Sequence, residues 1–300
     1  MSLFTGLSAF PLTPLADYEI HEAAFVGLIQ RLSTAGVDSI TVLGSTGSYA
    51  YLTAHERDRI AHLAVEHAGT TPVFVGIGAL RTSQILTNID SAQRAGVAGL
   101  LLAPMTYQPL TEHDVLELFD TVTQHTDSPI IVYDNPGTTH FTFSTELYAR
   151  IAALPGIASL RIPGVPAEPA KAREHVTAIR AIIPDHVTIG VSGDAFAANG
   201  LTAGCDAWYS VIGGTLPDLA LAITRAIQQH RNDDALQEAQ RLTPLWNLFT
   251  GFGGSLRVTA AIAEYLGLVP YQSLPLPIQG LSHSQRARVA EVVDALELSR

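Results

Sequence analysis

Lysine is almost missing from this chain: Lys171 is the only one among 17 basic residues in 300. Chemistry that runs through a lysine amine therefore has a single candidate. That candidate sits in Pro169-Ala170-Lys171-Ala172-Arg173-Glu174, which reads as an exposed helix. Cysteine is as scarce, with Cys205 alone, so there is neither a disulfide framework nor a thiolate cluster for zinc. The formal net charge of -11 leaves nothing basic enough to neutralise a phosphate track, which argues against a nucleic-acid partner. Acidity of this size concerns solubility more than partners. No run of eighteen apolar residues occurs, so no membrane span is implied. The opening Met1-Ser2-Leu3-Phe4-Thr5 shows no charged n-region or apolar h-region of a signal peptide, and a soluble cytoplasmic protein is the expectation. Low-complexity segments are absent too.

What is present is a large apolar fraction, 47%, cut into a regular alternation. Short β-branched runs fall at Gly6-Phe10, Ser39-Leu43, Val73-Gly78, Gly99-Ala103, Ile130-Tyr133, Ile157-Arg161, Val187-Val191 and Ala207-Ile212. Helical spacing separates them, as in Ala23, Leu28, Ile29 and Leu32, or Ile60, Leu63 and Ala64. Capping signals open several of these helices: Thr53 with Glu56, Thr111 with Asp114, and Ser83 ahead of Ile85. Gly36, Gly69 and Gly96 stand where the helices should stop. Eight strands repeating at about thirty residues predict an α/β fold, a (β/α)8 barrel of the TIM type over residues 1–215. Residues 216–300 read as a C-terminal helical extension of the same domain, with helices over Asp218-Arg231, Asp234-Phe249, Leu256-Leu266 and Ser284-Leu298.

In such barrels the reacting groups lie at the C-terminal strand ends. Gly44-Ser45-Thr46-Gly47 follows the second strand and precedes a helix. Hydroxyls and amides at a helix entrance suit a carboxylate or phosphate, although the same four residues also make an ordinary turn. Tyr133 ends the fifth strand before a rigid Asn135-Pro136-Gly137 turn. Its phenol can relay a proton beside the hydroxyl of Thr46, or simply cap the barrel core. Arg161 closes the sixth strand. A guanidinium can grip a carboxylate through two parallel hydrogen bonds, or pair with a barrel acid such as Asp134 or Asp194. Metal ligation is weakly supported: Asp134, His140 and Asp194 fall near strand ends without ligand spacing. Other histidines (His55, His62, His67, His125) read as solvated helix faces.

In their order and intervals these motifs resemble the dihydrodipicolinate synthase / N-acetylneuraminate lyase family of barrel aldolases. The likeness runs from Ala9-Phe10-Pro11-Leu12-Thr13 through Gly44-Ser45-Thr46-Gly47, Ala103-Pro104 and Tyr133-Asp134-Asn135-Pro136-Gly137. It continues through Gly193-Asp194 and Ser210-Val211 with Pro217, and ends near Leu274-Pro275-Leu276. The resemblance implies a homotetramer built as a dimer of dimers, no cofactor, and a small 2-oxo acid or related carboxylate as ligand. It implies that Tyr107, after the fourth strand, reaches into a neighbouring subunit's site. It also implies a lysine amine where this chain has Arg161, and a guanidinium cannot replace that nucleophile. Further departures are Ser48 in place of a glutamate, Thr138 in place of a substrate-holding arginine, Tyr209 at a usually small position touching the oxo acid, and Gly214 in place of an asparagine.

Two functions fit. One is lyase or aldolase-type chemistry without a Schiff base, in which Ser45, Thr46 and Gly47 hold the carboxylate, Tyr133 moves the proton and Arg161 polarises a carbonyl or steadies an enolate. The other is a catalytically inactive carboxylate-binding pseudoenzyme, a sensor or partner subunit.

Overall fold

The computed structural model describes residues 3–298, so Met1 and Ser2 of the opening segment lie outside it. Among the described residues, eight parallel strands close into a barrel. They are β1 (Gly6–Ala9), β2 (Ser39–Val42), β3 (Val73–Gly76), β4 (Gly99–Leu102), β5 (Ile130–Tyr133), β6 (Ile157–Ile162), β7 (Thr188–Val191) and β8 (Ala207–Ser210). Each pairs with its sequence neighbour, and β1 closes the ring on β8. A two-stranded hairpin, Leu15–Ala16 with Glu19–Ile20, stands on the loop after β1.

Helices wrap the barrel: α1 (Glu22–Ala35), α2 (Ala54–His67), α3 (Thr82–Ala95), α4 (Glu112–His125), α5 (Thr145–Ala152), α6 (Pro169–Arg180), α7 (Ala197–Thr202) and α8 (Pro217–Gln228). The capping signals at Thr53 and Thr111 are complete boxes, each side chain accepting from the third residue while that residue's carboxylate accepts from the cap. Ser83 does not cap; α3 starts one residue earlier, with Arg81 at its N-cap and no side-chain cap bond. Gly36 and Gly96 end α1 and α3 in the left-handed conformation.

The C-terminal region contains α9 (Asn232–Arg241), α10 (Thr243–Gly251), α11 (Ser255–Tyr265) and α12 (His283–Ala295). The single helix expected over 234–249 is two. Pro244 has no N–H to give to the preceding turn, so the chain breaks at Leu242 and restarts with proline in its first turn. The last barrel strand is also shorter than expected. Beyond Ser210 the amides of Val211 and Ile212 leave the ladder and donate to the Asp194 carboxylate.

One irregularity sets up the site. Pairing of β5 with β6 runs Ile130↔Ile157, then Ile131↔Ser159, so β6 carries one extra residue. Ala158 packs against the barrel-interior cluster and Ser159 also faces inward, bonded to Tyr209, while Leu160 and Ile162 pack outward. Side chains alternate along a strand, so this bulge resets the phase and turns Arg161 into the barrel, in register with Tyr133.

Candidate active site

Arg161 is 5% exposed and projects among interior aromatic rings. Its guanidinium carbon lies 4.2 Å from the Tyr133 ring centroid and 5.9 Å from that of Phe10, within cation–π range of both. Nη1 donates to the Asp134 backbone carbonyl at 3.1 Å, and Nε is buried with no hydrogen-bond partner. Burial pushes its pKa down, against Tyr133, Asp134, Asp194 and Tyr209. A guanidinium starts so far above neutrality that it remains a cation. Neither acid suggested as its partner pairs with it. Asp194 accepts from Trp208 Nε1, Ser210 Oγ and the amides of Val211 and Ile212, pinning the β7 and β8 loops together. The Asp134 carboxylate faces Tyr148 instead. Arg161 is therefore a buried cation with no carboxylate in ion-pair contact, the Asp134 and Asp194 charges acting on it only from further off.

Tyr133 ends β5 beside it, in Cα register with Arg161. Its hydroxyl bonds to Ser45 Oγ at 2.8 Å and accepts from Asn135 Nδ2 at 2.9 Å. The expected neighbour was Thr46; the hydroxyl that meets the phenol is that of Ser45. Thr46 is buried next to it and makes no bond to Tyr133. The reason lies in the loop's backbone. Leu43 and Ser48 both adopt left-handed φ, 57° and 56°, and pinch the Gly44–Gly47 stretch into a tight turn that presents Ser45 to the barrel axis. Gly47 fits that turn because a Cβ there would lie 3.0 Å from the Leu43 amide nitrogen. Ser48 is buried with an unpartnered hydroxyl.

Thr138 is exposed at the edge, its Oγ1 3.5 Å from Ser45 Oγ. Tyr209 does not present its hydroxyl at the rim. It is fully buried on β8 and donates at 2.8 Å to Ser159, which lies one inward position below Arg161 along β6. Its ring occupies the space over Gly190, where a Cβ would sit 2.1 Å from Tyr209 Cε2. Tyr209 is thus the floor beneath the guanidinium. At Gly214 a Cβ would meet the Phe10 carbonyl oxygen at 2.1 Å, so no larger residue fits this backbone. Tyr107 is 87% exposed and outside the group assembled around Arg161. Lys171 lies on α6, ion-paired with Glu168 at 2.8 Å, with a side chain 68% exposed. Among the described residues, no group of three or more His, Cys, Asp or Glu is placed to hold a metal ion, and no helix is long and apolar enough to cross a membrane.

Two participants escaped the sequence. Asn135 carried a legible signal, an N-cap type residue before proline, but nothing announced that its side chain returns to Tyr133. Tyr148 reads simply as an apolar position of α5, and its contact with Asp134 is tertiary. The assembled group offers a fixed cation, a hydrogen-bonded phenol–serine pair and a turn rich in amides. That set suits an anionic oxygen ligand.

Comparison with known proteins returns the same architecture over the whole chain. A profile of the dihydrodipicolinate synthetase family matches residues 3–296. The crystal structure of dihydrodipicolinate synthase from Agrobacterium tumefaciens superposes with a TM-score of 0.93 at 40% identity, covering 98% of both chains. A 4-hydroxy-tetrahydrodipicolinate synthase of Rickettsia typhi is 25% identical over 99% of both chains. A prophage protein of Escherichia coli K12 from the same family, solved in complex with pyruvate, has a TM-score of 0.88 at 23% identity over 99% of this chain and all of its own.

Proposed function

Because the chain belongs to the dihydrodipicolinate synthetase family, we propose that it acts on a small 2-oxo acid or related carboxylate by lyase or aldolase-type chemistry, without a Schiff base. The observation that carries this reading is Arg161: a buried cation outside any ion pair, where the family resemblance calls for the amine. An unpaired buried charge is costly, and an anionic ligand offsets that cost on binding. In this reading the amides and hydroxyls of Ser45, Thr46 and Gly47 receive the ligand carboxylate. Arg161 draws electron density from the adjacent carbonyl, or steadies the enolate left when a neighbouring bond breaks. Tyr133 moves the proton, with Ser45 as its hydroxyl partner. Thr138 borders the entrance and Tyr209 sets its depth. Tyr107 belongs to this scheme through a neighbouring subunit, in a homotetramer arranged as a dimer of dimers.

A screen of 2-oxo acids and sugar acids for thermal stabilisation, followed by turnover assays on each hit, tests the proposal. Stabilisation by a 2-oxo acid that depends on Arg161 is expected. No Arg161-dependent hit in the panel would contradict it. The second reading, a carboxylate-binding pseudoenzyme, draws on Lys171, whose amine is turned to solvent and paired with Glu168. Binding without turnover of any hit would favour that reading.

A further inference from the structure

Asp134 follows Tyr133 directly, its amide donates to the Arg161 carbonyl, and its own carbonyl accepts from Arg161 Nη1. An acidic and a basic residue joined by two such bonds through the backbone are natural partners, yet no ion pair forms between their side chains. The Asp134 side chain is buried and turned to the helical layer, where Oδ2 accepts from the Tyr148 hydroxyl and Oδ1 has no partner. Tyr148 is itself held by its neighbours. Its ring stacks on Phe143 with centroids 5.5 Å apart and planes 11° from parallel, and Phe143 meets Phe141 edge-on at 5.1 Å. Burial pushes the Tyr148 phenol upward, so it stays a donor.

We propose that Tyr148 is a positioning residue that holds the Asp134 carboxylate away from Arg161 and so keeps the guanidinium free for an anionic ligand. An Asp134 carboxylate with one oxygen unsatisfied has every electrostatic reason to turn toward the cation. The Tyr148 hydroxyl is the one hydrogen bond opposing that turn. Tyr148 acts at a distance from the ligand: it touches Asp134 and never the reacting groups. The ligand half of this inference rests on the function proposed above; the side-chain half does not.

The test separates the two. A crystal structure of Tyr148→Phe is expected to show Asp134 turned toward Arg161 and paired with it; Asp134 left in place would overturn the proposal whatever the protein binds. Urea unfolding supplies the same answer without crystals. Coupling between Asp134→Asn and Arg161→Ala is expected to be small with Tyr148 present and to grow in the Tyr148→Phe background. Equal coupling in both backgrounds contradicts the lock. Pyruvate titrations then read the consequence: Tyr148→Phe weakens binding about tenfold or more, and Tyr148→Phe/Asp134→Asn recovers most of it. Losses that simply add in the double variant would mark Tyr148 as structural only. Should Tyr148→Phe not fold, Tyr148→Trp, which keeps the ring and a donor in another place, serves for the unfolding and titration arms. If wild-type protein does not bind pyruvate, the proposed ligand is wrong, and the structural and unfolding arms still decide the lock.

Discussion

Arg161 has one hydrogen bond, two aromatic rings and no carboxylate, an arrangement that is stable only because the surrounding fold fixes it. Removing it tests the proposed ligand contact. Arg161→Ala should weaken a bound 2-oxo acid by roughly 2–5 kcal/mol, measured by calorimetric titration. Unchanged affinity would take the guanidinium out of the site. Arg161→Lys returns an amine, but little or no pyruvate aldolase activity is expected. The amine must be partly neutral to attack, and Tyr209 with Ser159 fills the space beneath it. Robust aldol cleavage in that variant would mean the pocket is otherwise intact. Asp134 carries a pH prediction. Burial raises its carboxyl above the ordinary 3.8, with the Tyr148 bond and Arg161 opposing. Its contribution to stability is therefore fully present below 3.8 and lost as pH rises through the higher folded-state value. Asp134→Asn should accordingly gain stability over wild type at neutral pH, by urea unfolding, with the gain shrinking as pH falls toward 3.8. A gain that grows toward acid would contradict the assignment.

At the scale of elements, strand positions were legible because β-branched runs and caps are local signals. Seven of the eight expected spans begin at the observed residue, and the complete boxes at Thr53 and Thr111 sit where the spacing put them. Tertiary choices were not legible. The Asp194 carboxylate draws the 211–212 amides out of β8, and Pro244 divides a helix that looked continuous. The β6 bulge is the clearest case: nothing in Ile157-Ala158-Ser159-Leu160-Arg161 announces it, yet it decides which way Arg161 points. Deleting Ala158 removes the extra residue and leaves Ile157 outward with Ser159 and Arg161 inward, so 2-oxo acid binding should survive. Deleting Leu160 instead should turn Arg161 outward, lower the urea midpoint and remove binding. A Leu160 deletion variant that still binds would contradict the inward phase assigned to Arg161. The candidate site was read in part for the same reason. Residue types and strand ends identified Tyr133 and Arg161, whereas the left-handed φ at Leu43 and Ser48, which brings Ser45 rather than Thr46 to the phenol, had no sequence signature.

At the scale of the molecule, the barrel and its C-terminal helices belong to one architecture shared with solved relatives over 98% of the chain. Assembly is the open expectation attached to Tyr107, whose ring stands 87% exposed on the loop after β4. Sedimentation should give a tetramer mass, and a stable monomer would remove the role given to that ring. The barrel as a whole is proposed to work with its interior cation in place of a covalent amine. The most direct measurement is carbon NMR of pyruvate labelled at its carbonyl carbon, titrated with wild-type protein and with Arg161→Ala. A carbonyl resonance that shifts on binding while remaining a ketone, and loses the shift in Arg161→Ala, is the predicted result. An imine resonance, reducible by borohydride to an adduct on Lys171, or a shift indifferent to Arg161, would contradict it.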